Sequence, residues 1–226
     1  MSRDRRGQRE SRGEGRRAPI SDRDPLTWLG VASGEGTSLS SFLRSATIFY
    51  GAMGLLGVAW SIATVETPER TVGGFIARAL GERPDLAVAL GIAVGLLLVA
   101  ITRLLETWSP ISRLVDGFVS VLGTITPRQA FLLAAVSSIG EELLFRGAIQ
   151  PWLGLWPTSL IFGLLHFPFE RRFLAWPFFA TGAGLILGLS MEKSGSLLAP
   201  IVAHFVVNWI NLHFIGRRAR QPQRLD

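Results

Sequence analysis

The chain contains no cysteine. Disulfides, thiolate nucleophiles and thiolate metal sites are therefore excluded. No internal repeat is visible. The arginine pairs Arg5-Arg6 and Arg16-Arg17 lack an apolar run close behind them, which argues against a twin-arginine signal. A cleavable signal peptide is not expected either, because the basic segment is long and the first apolar run has full membrane length. The terminal Gln223-Arg224-Leu225-Asp226 carries no lipidation box.

The chain is 48% hydrophobic yet has a net charge of +6, and the two properties occupy different segments. Residues 1–24 hold eight arginines against five acidic residues and almost nothing apolar. Such a segment cannot bury enough surface to fold and is expected to be disordered. From Ser45 to Ile215 the sequence is mostly apolar runs of membrane-spanning length. The expected fold is an all-α polytopic membrane helix bundle with about six transmembrane helices. The positive charge then reports tails and loops, a topology signal rather than a nucleic-acid face. The partners implied are the lipid bilayer and no nucleic acid.

The chain divides accordingly. Residues 1–24 are an Arg-rich tail, and 25–43 a mildly apolar segment lying along the membrane surface. Residues 44–126 hold two spans, Ser45–Val65 and Leu86–Leu105, with a short amphipathic helix at Val72–Leu80 between them and an amphipathic linker at Ser109–Pro127. Residues 127–215 hold four more: about Arg128–Leu153, the short Pro157–Phe167, Phe173–Ser190 and Leu197–Ile215. Residues 216–226 form a basic tail. Eleven residues cover only about 16 Å of helix against a hydrocarbon core of roughly 30 Å, so the fourth segment needs protein or water around it and suggests a cavity. Six spans put the N-terminal arginines, Arg171-Arg172 and the C-terminal arginines on one side. By the positive-inside rule that side is the cytoplasm of a bacterial plasma membrane, with both termini cytoplasmic.

Ionisable groups inside spans are costly and carry a functional expectation. The third span contains Glu141, Glu142 and Arg146. Glu142 and Arg146 are four residues apart on one face and can pair. Glu141 is turned about 100° away, which leaves it available for chemistry. Two histidines and an amide lie in other apolar segments: His166, preceded at i−4 by Phe162, and His204, followed at i+4 by Asn208. Bundle cores build sites from side chains on separate helices in this way.

Glu141-Glu142-x-x-x-Arg146, Phe162-x-x-x-His166 and His204-x-x-x-Asn208, in this order in an apolar chain, resemble the three signature motifs of the CPBP (Abi) family. These are the CAAX-type and bacteriocin-processing intramembrane proteases, related to the Ras-converting CAAX endopeptidase. The resemblance covers about Pro127–Ile215. It implies an intramembrane endopeptidase acting on a membrane-associated protein or peptide. It further implies that Glu141 is the general base, that His166 holds the attacking water with it, and that His204 and Asn208 stabilise the oxyanion. Glu142, Arg146 and Phe162 are supporting motif positions. The residue types suit amide hydrolysis on their own account, which needs a base poised near neutral pH and donors aimed at the developing oxyanion.

Two histidines and a glutamate are also a catalytic zinc set. There is no His-Glu-x-x-His on one helix, and Asn208 is a poor zinc ligand, so the metal-free reading, with no cofactor, is preferred. Asn211 either extends the polar face of the sixth span or cross-links helices. His213 lies about 180° from His204 and reads as interfacial. Ser137 and Ser138 lack the strained-turn setting of a serine nucleophile. A proton-relay transporter and a non-catalytic peptide-binding scaffold are the rival functions.

Overall fold

A computed structural model describes residues 37–64, 70–167 and 170–221. The expected tail 1–24, most of the surface segment 25–43 and the end of the basic tail lie outside these residues.

Every regular element among the described residues is helical. Helix α1, Thr37–Thr64, starts earlier than the expected span, so residues 37–43 are its first turns. Helix α2, Val72–Leu80, has the expected bounds. Thr71 caps it by accepting from the Gly74 N–H, and Gly81 ends it at φ 68°. A Cβ at Gly81 would also stand 2.7 Å from the Gly195 carbonyl oxygen, so only glycine suits this contact. Helix α3 is Pro84–Leu105 and α4 is Ser109–Leu122, each with proline in its first turn. Helix α5, Pro127–Leu144, opens on a reciprocal capping box between Thr126 and Gln129.

The third expected span is one continuous rod with a change of winding. After α5 the chain makes a π-helical turn at Phe145–Ile149 and returns to α-helix in α6, Gln150–Leu153. Arg146 sits in that wider turn. Such turns recur at functional sites because they re-aim side chains. Gly154 breaks the rod, and the short α7, Leu155–Leu165, follows. Helices α8, Ala175–Ser194, and α9, Leu198–Arg218, complete the bundle.

The expected count of about six spans is reduced by the measure of length and composition. Among the described residues three helices are long and apolar enough to cross a membrane: α1 from Leu39, α3 and α9. A fourth is reached only if α4 and the rod Pro127–Leu153 count as one span, and these are bent by 110°. Three charges dilute the rod at Glu141, Glu142 and Arg146. Glycine, threonine, serine, Glu192 and Lys193 dilute α8, and α7 is too short.

Helix α1 lies along α5, and α9 is wedged between α3, α5 and α8. Leu98, Leu187, Ala203 and Val207 form one buried cluster where α3, α8 and α9 meet. Phe145, Phe162 and Ala180 form another around the π turn. Large apolar side chains such as Leu55, 74% exposed, and Leu97 face outwards, as lipid-facing residues do. Helix α4 buries Ile111 and Leu114 against Phe173 and its neighbours, and Val115 is buried on the same helix. Its polar face is held by Arg218, which contacts Asp116 and Glu106 at 2.8 Å each.

Candidate active site

The three motifs converge. Glu141, Glu142 and Arg146 are 5%, 0% and 0% exposed. Arg146 Nη1 donates to Glu142 Oε1 at 3.2 Å, and the Nε–Oε2 approach, also 3.2 Å, is an ion-pair contact without hydrogen-bond alignment. Arg146 Nη2 donates to the Gly184 carbonyl at 2.9 Å. Its guanidinium lies over the Phe162 ring, 4.6 Å from the centroid. Phe162 therefore supports Arg146 from α7, a contact that its spacing from His166 does not reveal.

The Glu142–Arg146 pair is not isolated. His204 Nδ1 lies 2.7 Å from the same Glu142 Oε1, so one carboxylate ties α5 to the π turn and to α9. The opposite nitrogen, His204 Nε2, faces Glu141 Oε2 at 3.9 Å. His166 stands at the C-terminal end of α7, where its Nδ1 donates to the Phe162 carbonyl at 2.6 Å. A carbonyl only accepts, so Nδ1 carries the proton and a neutral His166 presents a lone pair at Nε2. That Nε2 also lies 3.9 Å from Glu141 Oε2. Glu141 Oε2 is buried and has no hydrogen-bond partner.

Asn208 Nδ2 donates to Ser137 Oγ at 3.2 Å, one turn before Glu141 on α5. Ser137 Oγ in turn donates to the Ala134 carbonyl. This serine, which the sequence left without a role, orients the amide. Asn211 accepts from Arg103 Nη2 at 2.7 Å and so cross-links α9 to α3.

Glu141, His166, His204 and Asn208 line one cavity of about 830 Å³, with α1 and α4 forming other parts of its wall. The short α7 borders this cavity, as its length implied. Among the described residues no three histidine, aspartate or glutamate side chains gather as the ligands of a metal ion would. Sequence reasoning also missed Tyr50 on α1, which lines the cavity together with Glu141.

Comparison with known proteins bears on this arrangement. Residues 123–210 match the family described as Rce1-like, type II CAAX prenyl endopeptidase. The chain is also similar to the uncharacterised protein YpbD of Bacillus subtilis, 29% identical over 120 residues, which is 52% of this chain and 63% of YpbD. The match thus spans less than two thirds of that relative. No solved structure matches the chain. The apolar helices and the family match together make this an integral membrane protein. Residues 123–210, which hold all three motifs, are thus similar to the Rce1-like, type II CAAX prenyl endopeptidase family over about two fifths of the chain.

Proposed function

We propose that the protein is an intramembrane endopeptidase that hydrolyses a peptide bond of a membrane-associated protein or peptide by activating water between Glu141 and His166. The observation that carries this reading is the unpartnered Glu141 Oε2, 3.9 Å from His166 Nε2 in the wall of the cavity. One water that donates to two acceptors, each at about 2.8 Å, holds them roughly 4.4 Å apart. The separation here is close to that. A water so held directs its lone pairs outwards as Glu141 takes its proton.

Attack on the substrate carbonyl then forms a tetrahedral oxyanion. Asn208 Nδ2 has a second N–H beyond the one given to Ser137 and donates it to this oxygen. His204 Nε2 donates only when the ring carries both protons, because Nδ1–H is committed to Glu142. The Glu142 carboxylate is the counter-charge that such a ring needs, and Arg146 in turn balances Glu142. Collapse of the intermediate breaks the C–N bond, and Glu141 returns its proton to the leaving amine. No metal enters these steps.

The family match supports a lipidated or otherwise membrane-anchored substrate cut near its C-terminus. With an even number of spans the arginine clusters put both termini in the cytoplasm; reporter fusions near residues 20 and 222 test this, opposite signals at the two ends being the contrary result. The activity itself is tested by comparing membrane peptidomes of cells with wild-type protein and with Glu141→Ala. Peptides released only by the wild type are expected, and identical peptidomes would sink the endopeptidase reading.

A further inference from the structure

We propose that Tyr50, the chain's single tyrosine, is a positioning residue for Glu141: its phenol holds one carboxylate oxygen so that the other faces both histidines.

Tyr50 lies on α1, outside the matched residues 123–210. Its place is set by the tightest approach between α1 and α5. A Cβ added at Gly140 would collide with the Tyr50 carbonyl and stand 3.0 Å from the Tyr50 Cβ. The backbone of α1 at Tyr50 therefore rests on α5 one residue before Glu141. Gly57 makes a second such approach one and a half to two turns further along, where a Cβ would meet the Leu143 carbonyl. These glycines bring α1 within side-chain reach of the carboxylate.

The half-buried Tyr50 side chain borders the same cavity as Glu141, close enough for its phenol to act on the carboxylate. An ionised carboxylate only accepts, so the phenol O–H is the donor. Oε1 is the oxygen that the phenol takes in this arrangement, since Oε2 is the one turned to the two histidines. A carboxylate free on both oxygens would rotate. With Oε1 held, Oε2 stays between His166 Nε2 and His204 Nε2, 3.9 Å from each. Reactive groups reach such a geometry only when a neighbouring residue locks their rotamer. Phe49 flanks the Tyr50 ring edge-on at 5.3 Å and limits its own freedom.

The kinetic arm of the test rests on the endopeptidase reading, and the spectroscopic arm does not. Tyr50→Phe keeps the ring and removes only the hydroxyl. On the peptide whose release depends on Glu141, the purified full chain with Tyr50→Phe should lose about 10-fold in kcat, with KM changed less than about twofold and the melting temperature nearly unchanged. In the second arm the full chain is labelled with meta-fluorotyrosine, which gives one fluorine resonance. That resonance should move in Glu141→Gln and stay in Asn211→Ala, which alters the same cavity without touching Glu141. A Tyr50→Phe protein with unchanged kcat per folded molecule, whatever its stability, overturns the proposal. So does a fluorine resonance indifferent to Glu141→Gln. If no peptide depends on Glu141, the endopeptidase reading has failed and the fluorine measurement alone decides the Tyr50 contact.

Discussion

His204 Nδ1 lies 2.7 Å from Glu142 Oε1, an oxygen that also receives Arg146 Nη1 at 3.2 Å. One buried carboxylate thus serves an ion pair within its own rod and an imidazole on another helix. The adjacent Glu141 is left facing the second nitrogen of that imidazole. The two glutamates therefore fail differently when neutralised.

Glu141→Gln should leave the ion pair intact and cost about 10²- to 10⁴-fold in rate, the usual loss on removing a general base. Glu142→Gln should strand Arg146, destabilise by about 3–5 kcal/mol and lower the yield. Adding Arg146→Met to Glu142→Gln should restore part of the melting temperature but not the rate, because His204 still lacks its counter-charge. Melting in detergent and cleavage per folded molecule would be measured for each variant. Full recovery of rate in the double variant would show that Glu142 serves Arg146 alone.

Asn208→Ala should lower kcat by about 10²- to 10³-fold, as loss of one oxyanion donor does. Ser137→Ala removes the acceptor that orients Asn208 and should cost less. If Ser137→Ala were inactive and Asn208→Ala fully active, the serine would be a nucleophile and this assignment would be wrong.

Chelation should leave cleavage unchanged. In the proposed mechanism Glu141 Oε2 and His166 Nε2 hold the attacking water by themselves, and Asn208 serves as an oxyanion donor rather than a ligand. Elemental analysis after dialysis against a chelator checks this. One bound zinc per chain, with activity lost on its removal and regained on its return, is the contrary outcome.

Gly140→Ala should destabilise by roughly 1–3 kcal/mol, since its methyl group enters the backbone of α1 at Tyr50. It should also slow cleavage by displacing Tyr50. Gly51→Ala is the control on the same pair of helices. A Cβ there meets nothing within 4 Å, and alanine should stabilise the helix by up to about 1 kcal/mol. Equal melting temperatures for the two variants would contradict the packing described for α1 and α5.

The apolar runs, the capping residues and the i,i+4 spacings act within one segment, and what depends on them was readable from the chain. Val72–Leu80, the short α7 and the Glu142–Arg146 pair are of this kind, because hydrophobic periodicity and helical pitch are local. Span number was less readable, since a count of apolar runs does not weigh the charges that α5 carries or the glycines of α8. The geometry of the site was decided by helices packing across long stretches of chain. Glu142 and His204 are 62 residues apart, and no spacing rule says which imidazole nitrogen turns to which glutamate. Tyr50 carried no motif and could be found only where Gly57 and Gly140 let α1 close on α5. Asn211 was open between two roles until Arg103 stood 2.7 Å from it. Helical pitch sets the angle at which a side chain leaves its own axis, but the approach of two axes depends on every side chain packed between them.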